Sequence, residues 1–167
     1  SAVGDAEFRR RLLGAIRYDR LVARCWNGAE SAAPDHHVEA PPSTVGSGVR
    51  LRLGYWDYYP NLEVAEEVAA QLTENLGVEV ELAPADFVSG SAQSCDVLLA
   101  LRGPLFEDPL CALDLLDPAR RDPVLAPLLH RLSEVPDDDE AYDELRRTVR
   151  KQCPVLPLLS LRGHWLQ

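Results

Sequence analysis

The stretch LRLGYWDYYPNLEVAEEVAAQLTENLGVEVEL, residues Leu51–Leu82, reads as strand, turn, amphipathic helix, stop and second strand. Val49, Leu51, Leu53 and Tyr55 alternate with Arg50, Arg52 and Gly54, the period of a half-buried strand. Pro60 and Asn61 open a helix, with Glu63 and Glu66 near its positive end. Leu62, Ala65, Val68, Ala69, Leu72 and Leu76 then recur at helical spacing on one face. Gly77 stands where a left-handed residue ends a helix. Val78, Val80 and Leu82 alternate with Glu79 and Glu81 as a second strand. A strand–helix–strand unit of this length predicts parallel strands joined by a right-handed crossover.

Working outward, the 167 residues suffice for one domain with a proper core. A hydrophobic share of 46% and a charged share of 26% are those of an ordinary soluble globular chain. The net charge of −10 and a pI near 4.8 argue against a nucleic-acid-binding surface. Lys151 is the only lysine, so arginine carries nearly all the positive charge, which reads as genomic base composition. No apolar run approaches the ~20 residues of a membrane span. No signal-peptide pattern is present, and that says little about compartment. Cys25, Cys95, Cys111 and Cys153 are irregularly spaced with no CxxC pair, which argues against zinc or redox chemistry. Buried thiols are the simpler reading, and thiols outside disulfides would favour a reducing compartment. Spacing leaves a disulfide between any two of them open.

Upstream, residues 6–25 carry a helical pattern of Phe8, Leu12, Ala15 and Ile16, then Leu21, Val22 and Cys25. Its register shifts near Arg17-Tyr18-Asp19, predicting two short helices with a break. Residues 28–48, rich in Gly, Ala, Pro and Ser, read as a flexible loop. Downstream, Pro84 to Ser94 reads as a connection with one helical turn around Asp86 to Val88. Cys95 to Leu101 is a nearly continuous apolar run, suited to a strand buried on both faces. Leu110, Leu113, Leu115 and Leu116 predict a short helix, and Leu125, Leu128, Leu129 and Leu132 another. Asp137-Asp138-Asp139 caps a last helix with Tyr142, Leu145 and Val149 on its apolar face, stopped by Pro154. Val155 to Leu159 reads as a short strand that Pro157 confines to an edge or an end. No internal repeat is evident.

The order of these pieces resembles family 5 of the bacterial extracellular solute-binding proteins, the receptors of peptide and nickel ABC importers. The resemblance covers the family's second lobe. It is carried by Phe8 to Ile16, by Gln71-Leu72 with Leu76 to Val80, by Cys95 to Pro109, and by Tyr142 to Leu158 with its ending Cys153-Pro154-Val155-Leu156-Pro157-Leu158. Each motif is weak alone; the four in order and spacing are more specific. The resemblance implies an α/β, periplasmic-binding-protein-like lobe, its mixed, mainly parallel sheet flanked by helices, with 1–167 as a single such lobe. It implies a peptide or other small polar ligand, the missing first lobe of the same protein, and an ABC permease as partners. It implies an extracytoplasmic location, no catalysis, no cofactor and no nucleic-acid contact. The departures are in the loop facing the cleft. The family's Trp falls on Arg102, and the acid that pairs with a peptide's amino terminus falls on Leu105. Phe106 and Asp108-Pro109 keep their type.

Ligands of open α/β sheets sit beyond the carboxyl ends of the strands. Two loops qualify there, and they give the expected ligand-binding residues: Trp56, Tyr58 and Tyr59 after the first strand, and Arg102, Phe106 and Asp108 after the apolar run. Each has a plainer reading. Trp56 and Tyr58 could cover the helix, Arg102 could form a surface salt bridge, and Asp108 could cap a helix. As a ligand contact, Arg102 would favour a carboxylate or phosphate. His36-His37, with no Cys or carboxylate cluster nearby, makes a poor nickel site. His130 and His164 have no partner visible in the sequence, and Asp137 to Glu140 reads as a charged helix start rather than a calcium loop. There is no GxSxG, P-loop, HExxH or GxGxxG motif. A second reading keeps the same fold as the cytoplasmic sensor domain of a transcriptional regulator.

Overall fold

The computed structural model describes residues 4–24, 29–31, 48–85, 94–100, 123–152 and 159–161. Two compact units emerge, residues 1–101 with 157–167 and residues 102–156.

The first unit is built on the predicted strand–helix–strand motif. Helices α1 (Ala6–Gly14) and α2 (Tyr18–Arg24) come first, then β1 (Ala29–Ser31), β2 (Arg50–Trp56), α3 (Asn61–Leu76), β3 (Glu79–Ala85), β4 (Val97–Leu99) and, near the chain end, β5 (Leu159–Leu161). The sheet order is β3-β2-β4, all parallel, and β1 pairs with β5 in a separate antiparallel ribbon. A mixed, mainly parallel α/β fold is therefore present. The register sets Leu51 beside Val80 and Leu53 beside Leu82, so apolar residues meet on one face. The same register sets Arg50 beside Glu79 and Arg52 beside Glu81, with N–O distances of 2.8 and 3.6 Å. These pairs are exposed and add little stability, but a slip of one residue would turn every apolar side chain to the wrong face.

β2 alternates as expected over Arg50 to Leu53, then Gly54, Tyr55 and Trp56 are all buried. The reason is position: this strand is central, flanked by β3 and β4. Gly54 is required by close approach. A Cβ there would lie 2.5 Å from Cys95 Sγ and 3.1 Å from both Cys95 Cβ and Leu98 Cδ1. Asp96 docks the start of β4 on β2: its carboxylate accepts from the Arg52 amide at 2.9 Å, and its own amide donates to Arg52 O at 2.9 Å.

α3 packs against β2 and β3 on one side and α2 on the other. Its buried residues are Asn61, Val64, Ala65, Val68, Gln71, Leu72 and Leu76. Val64 and Gln71 thus join the buried face, while Leu62 and Ala69 are only half-buried. Burying a side chain such as Leu72 or Leu76 contributes roughly 1.5–3 kcal/mol. Gly77 ends the helix at φ 69°, and its amide donates to Thr73 O at 3.0 Å. The predicted break between α1 and α2 is held to α3 by side-chain amides. Gln71 is fully buried; its Oε1 accepts from the Arg17 amide and its Nε2 donates to Arg17 O at 3.3 Å and to Glu67 at 2.8 Å. Asn75 Nδ2 donates to Ala15 O at 2.7 Å.

Three expectations are corrected. Residues 29–31 form a strand rather than part of a loop, because a partner far along the chain, Leu159–Leu161, supplies its hydrogen bonds. The partner strand, 159–161, overlaps the predicted final strand at Leu159. Pro84 lies within β3, not in a connection; β3 is an edge of the described sheet, where a missing N–H is tolerated. The apolar run at β4 is not buried on both faces. Val97 and Leu99 are half-buried and Leu98 is 36% exposed, because β4 pairs with β2 on one side and lies at the other edge of the described sheet. Residues 32–47, 86–88, 110–116 and 153–158, expected to form a loop, two helical stretches and part of a strand, lie outside the described residues.

The second unit contains the predicted helical pair, α4 (Leu125–Glu134) and α5 (Asp139–Gln152). Leu125, Leu128, Leu129 and Leu132 form a cluster with Ala141 and Leu145, and Tyr142 and Val149 pack at its margin. Asp138 caps α5: its Oδ1 accepts from the Ala141 amide at 3.0 Å, and its Oδ2 accepts from Arg131 Nε of α4 at 2.7 Å. The Ala141 amide holds the Asp138 carboxyl below its ordinary value of 3.8, with desolvation opposing and Arg131 adding to the lowering.

Three outcomes follow from these contacts. Gln71→Leu leaves the part-buried Arg17 amide without its partner, and chemical denaturation should show a loss of about 1–3 kcal/mol. Gly77→Ala forces a left-handed alanine and should cost about 1 kcal/mol in the same measurement. A carboxyl lowered by folding contributes stability above its unfolded value that is lost as pH falls through the folded one. The α4–α5 pair of the wild type should therefore weaken below about pH 3.8, and Asp138→Asn should flatten that part of a pH–melting curve.

Candidate functional site

The carboxyl end of β2 runs directly into the turn Trp56-Asp57-Tyr58-Tyr59-Pro60 that starts α3. Parallel strands place such turns at the edge where ligands of α/β folds bind. The turn is tightly held. Trp56 O accepts two hydrogen bonds, from the Tyr58 amide at 2.8 Å and from Asn61 Nδ2 at 3.1 Å. The Asn61 amide in turn donates to Tyr58 O at 2.9 Å. Asn61 is buried, so its amide side chain serves as an internal strut. The Tyr59–Pro60 peptide is cis.

The aromatic residues divide by depth. Trp56 is 6% exposed and offers a ligand little surface. Tyr58 is 45% exposed and stacks on it, with centroids 6.2 Å apart and planes 25° apart. Such a stack contributes roughly 0.5–1.5 kcal/mol and fixes the outer ring against a rigid floor. Tyr59 is 54% exposed. Asp57, between Trp56 and Tyr58 in sequence, is exposed. The arrangement is a preorganised aromatic ledge carrying one solvated carboxylate.

A second carboxylate lies in the first turn of α3. Glu63 stands where a capping box would reach back to the amide of the N-cap residue, but that residue is Pro60, which has no N–H. One Glu63 carboxylate oxygen is buried without a hydrogen-bond partner among the described residues. The positive end of α3 makes its charge tolerable there.

Of the residues expected from sequence, the structure brings Trp56, Tyr58 and Tyr59 together in this one turn. Arg102, Phe106 and Asp108, and Leu105 beside them, lie outside the described residues, as do His36, His37 and His164. His130 is exposed and 3.5 Å from Glu134, one helical turn away. Asp138 serves as a helix cap, and among the described residues no group of three potential metal ligands gathers. No described helix is long and apolar enough to cross a membrane. Sequence reading missed Asn61 as the strut; its only signal is an amide side chain at the start of an otherwise apolar helix face. Asn61→Ala should lower stability by about 1–2 kcal/mol. Because it releases Trp56 O, it should also shift the tryptophan emission spectrum, whereas Asn75→Ala should lower stability without that shift.

No protein-family model matches the chain, and no curated protein matches it. Solved structures do. The Escherichia coli murein tripeptide binding protein MppA superposes with a TM-score of 0.73 at 19% identity, over 96% of this chain and 40% of that one. A peptide-binding protein of a peptide ABC transporter gives 0.70 at 16% identity, over 95% of this chain and 92% of that one. NikA from Brucella suis, solved with Fe(III)-EDTA, gives 0.65 at 16% identity, over 94% and 42%. The chain thus spans about two fifths of the length of MppA and of NikA. Its fold is that of the family 5 solute-binding proteins, as the sequence resemblance implied.

Proposed function

We propose that the chain is one lobe, the second, of a two-lobed solute-binding protein that receives a peptide or another small polar solute and passes it to an ABC permease. The observation that carries this reading is the aromatic ledge at the carboxyl end of β2, rigid and exposed, on a fold shared with binding proteins. In the proposal residues 1–167 form a single lobe, and Tyr58 and Tyr59 are its contact residues on this side, with Trp56 as their support. Arg102, Phe106 and Asp108 complete the proposed set of ligand contacts. The protein is a receptor rather than an enzyme, needs no cofactor and makes no nucleic-acid contact. It works outside the cytoplasm, as the periplasmic MppA does.

A single lobe provides one wall of a cleft. Most of a small ligand's surface is buried only when the second wall closes over it, so the closed state holds most of the affinity. The chain alone should therefore bind di- and tripeptides weaker than micromolar in titration calorimetry. Supplying the missing lobe in the same protein should tighten binding at least a hundredfold. Tyr58→Ala with Tyr59→Ala should then weaken it at least fivefold. Submicromolar binding by this chain alone would sink the half-cleft reading. If millimolar peptides and other small polar solutes all left the resonances of the turn unmoved, the ledge would have no ligand role.

A further inference from the structure

The partners of the carboxylates in the first unit follow a pattern. On α3, Glu66 pairs with Arg24, and Glu67 and Glu74 both pair with Arg20. On β3, Glu79 and Glu81 pair with Arg50 and Arg52. Glu7 pairs with Arg11 of its own helix, Asp19 with Arg17 just before α2, Asp5 caps α1, and Asp96 accepts from the Arg52 amide. Among the described side chains of this unit, two carboxylates have neither a cation nor a hydrogen bond, Asp57 and Glu63. In the chain they stand on either side of Tyr58 and Tyr59. Among the described residues, arginines match seven carboxylates of this unit and leave open the two that bracket Tyr58 and Tyr59 in sequence.

Resting on the binding role proposed for this turn, we infer that the ledge is a subsite for the cationic head, ammonium or guanidinium, of a small organic ligand. Asp57 is its ion-pair partner, the Tyr58 and Tyr59 rings are its bed, and Glu63 adds negative potential from behind. The chemistry is complementary on each count. Phenol rings attract a cation over their faces, and more strongly once water is excluded. A carboxylate doubles the strength of a hydrogen bond from a charged donor. Glu63 has one oxygen withdrawn from water and unpaired, so its field is less screened than that of a solvated acid. The turn itself is held by the two hydrogen bonds to Trp56 O and by the Trp56–Tyr58 stack, so little ordering is lost on binding. A flat guanidinium suits the ledge best, since it can lie on a ring and present its edge to Asp57.

The test uses the whole 167-residue chain and two probes of one shape, phenylguanidinium and its neutral isostere phenylurea. Resonances of the Tyr58 and Tyr59 rings and the Asp57 amide are followed in titrations at physiological salt. Phenylguanidinium should saturate these shifts at millimolar concentration, and phenylurea should bind at least fivefold more weakly. Asp57→Asn should remove most of that difference and Glu63→Gln part of it. Glu144→Gln, an exposed acid in the second unit, should change nothing, which separates the subsite from general attraction to an acidic chain. An unchanged amide spectrum elsewhere verifies that each variant is folded. Equal binding of both probes would overturn the inference and leave a neutral stacking ledge, with the solute-binding role intact. If neither probe moves the turn, the cationic subsite and the ligand role of the ledge fall together. If Glu144→Gln weakens binding as much as Asp57→Asn, the attraction is diffuse and the inference is wrong.

Discussion

Two parallel strands cannot be joined by a tight turn, and the rest of the first unit follows from that constraint. The chain leaving β2 must cross the sheet before it re-enters as β3, and α3 makes the crossing. The crossing helix needs cover on its outer side, which α2 provides, and α2 also packs against the β1–β5 ribbon. The same crossing generates the turn at the top of β2. A short link from strand to helix must reverse its path within a few residues, so its carbonyls and amides have to be satisfied locally. Trp56 O, Tyr58 and Asn61 do this, and Tyr58 and Tyr59 are left exposed over a buried Trp56.

Polar groups in the interior serve position more than stability. Gln71 bonds both the amide and the carbonyl of Arg17, so the break between α1 and α2 meets α3 at one place only. An apolar residue of the same size would leave the helices free to slide along α3. The arginines of α2 reach the acids of α3 across the surface, where each pair is worth little singly. Their consequence is electrostatic patterning: acids are neutralised along the flank of α3 and left bare at its start.

Much of this was legible in the chain itself. The alternation Leu51, Leu53 against Arg50, Arg52 marks β2, and Gly77 marks the end of α3, because both depend on local geometry. The leucines of α4 and the Asp138 cap are equally local signals. Other features were hidden. Nothing in Ala29-Glu30-Ser31 marks a strand, since its hydrogen bonds come from residues 159–161. Pro84 argues against a strand until β3 is seen at an edge of the described sheet. The apolar run at β4 reads as buried on both faces because composition reports hydrophobicity, not the neighbours that supply cover.

The candidate site divides in the same way. Sequence alone determined that an aromatic, acidic turn would sit between a strand and a helix, because periodicity and helix-start chemistry are properties of adjacent residues. Only the tertiary structure decided which ring is floor and which is surface: Trp56 is covered and Tyr58 and Tyr59 are not. Only the tertiary structure decided which of the described acids pair with arginines and which do not. Those assignments depend on distances between α2, α3 and β3, and no run of neighbouring residues encodes a distance across the fold.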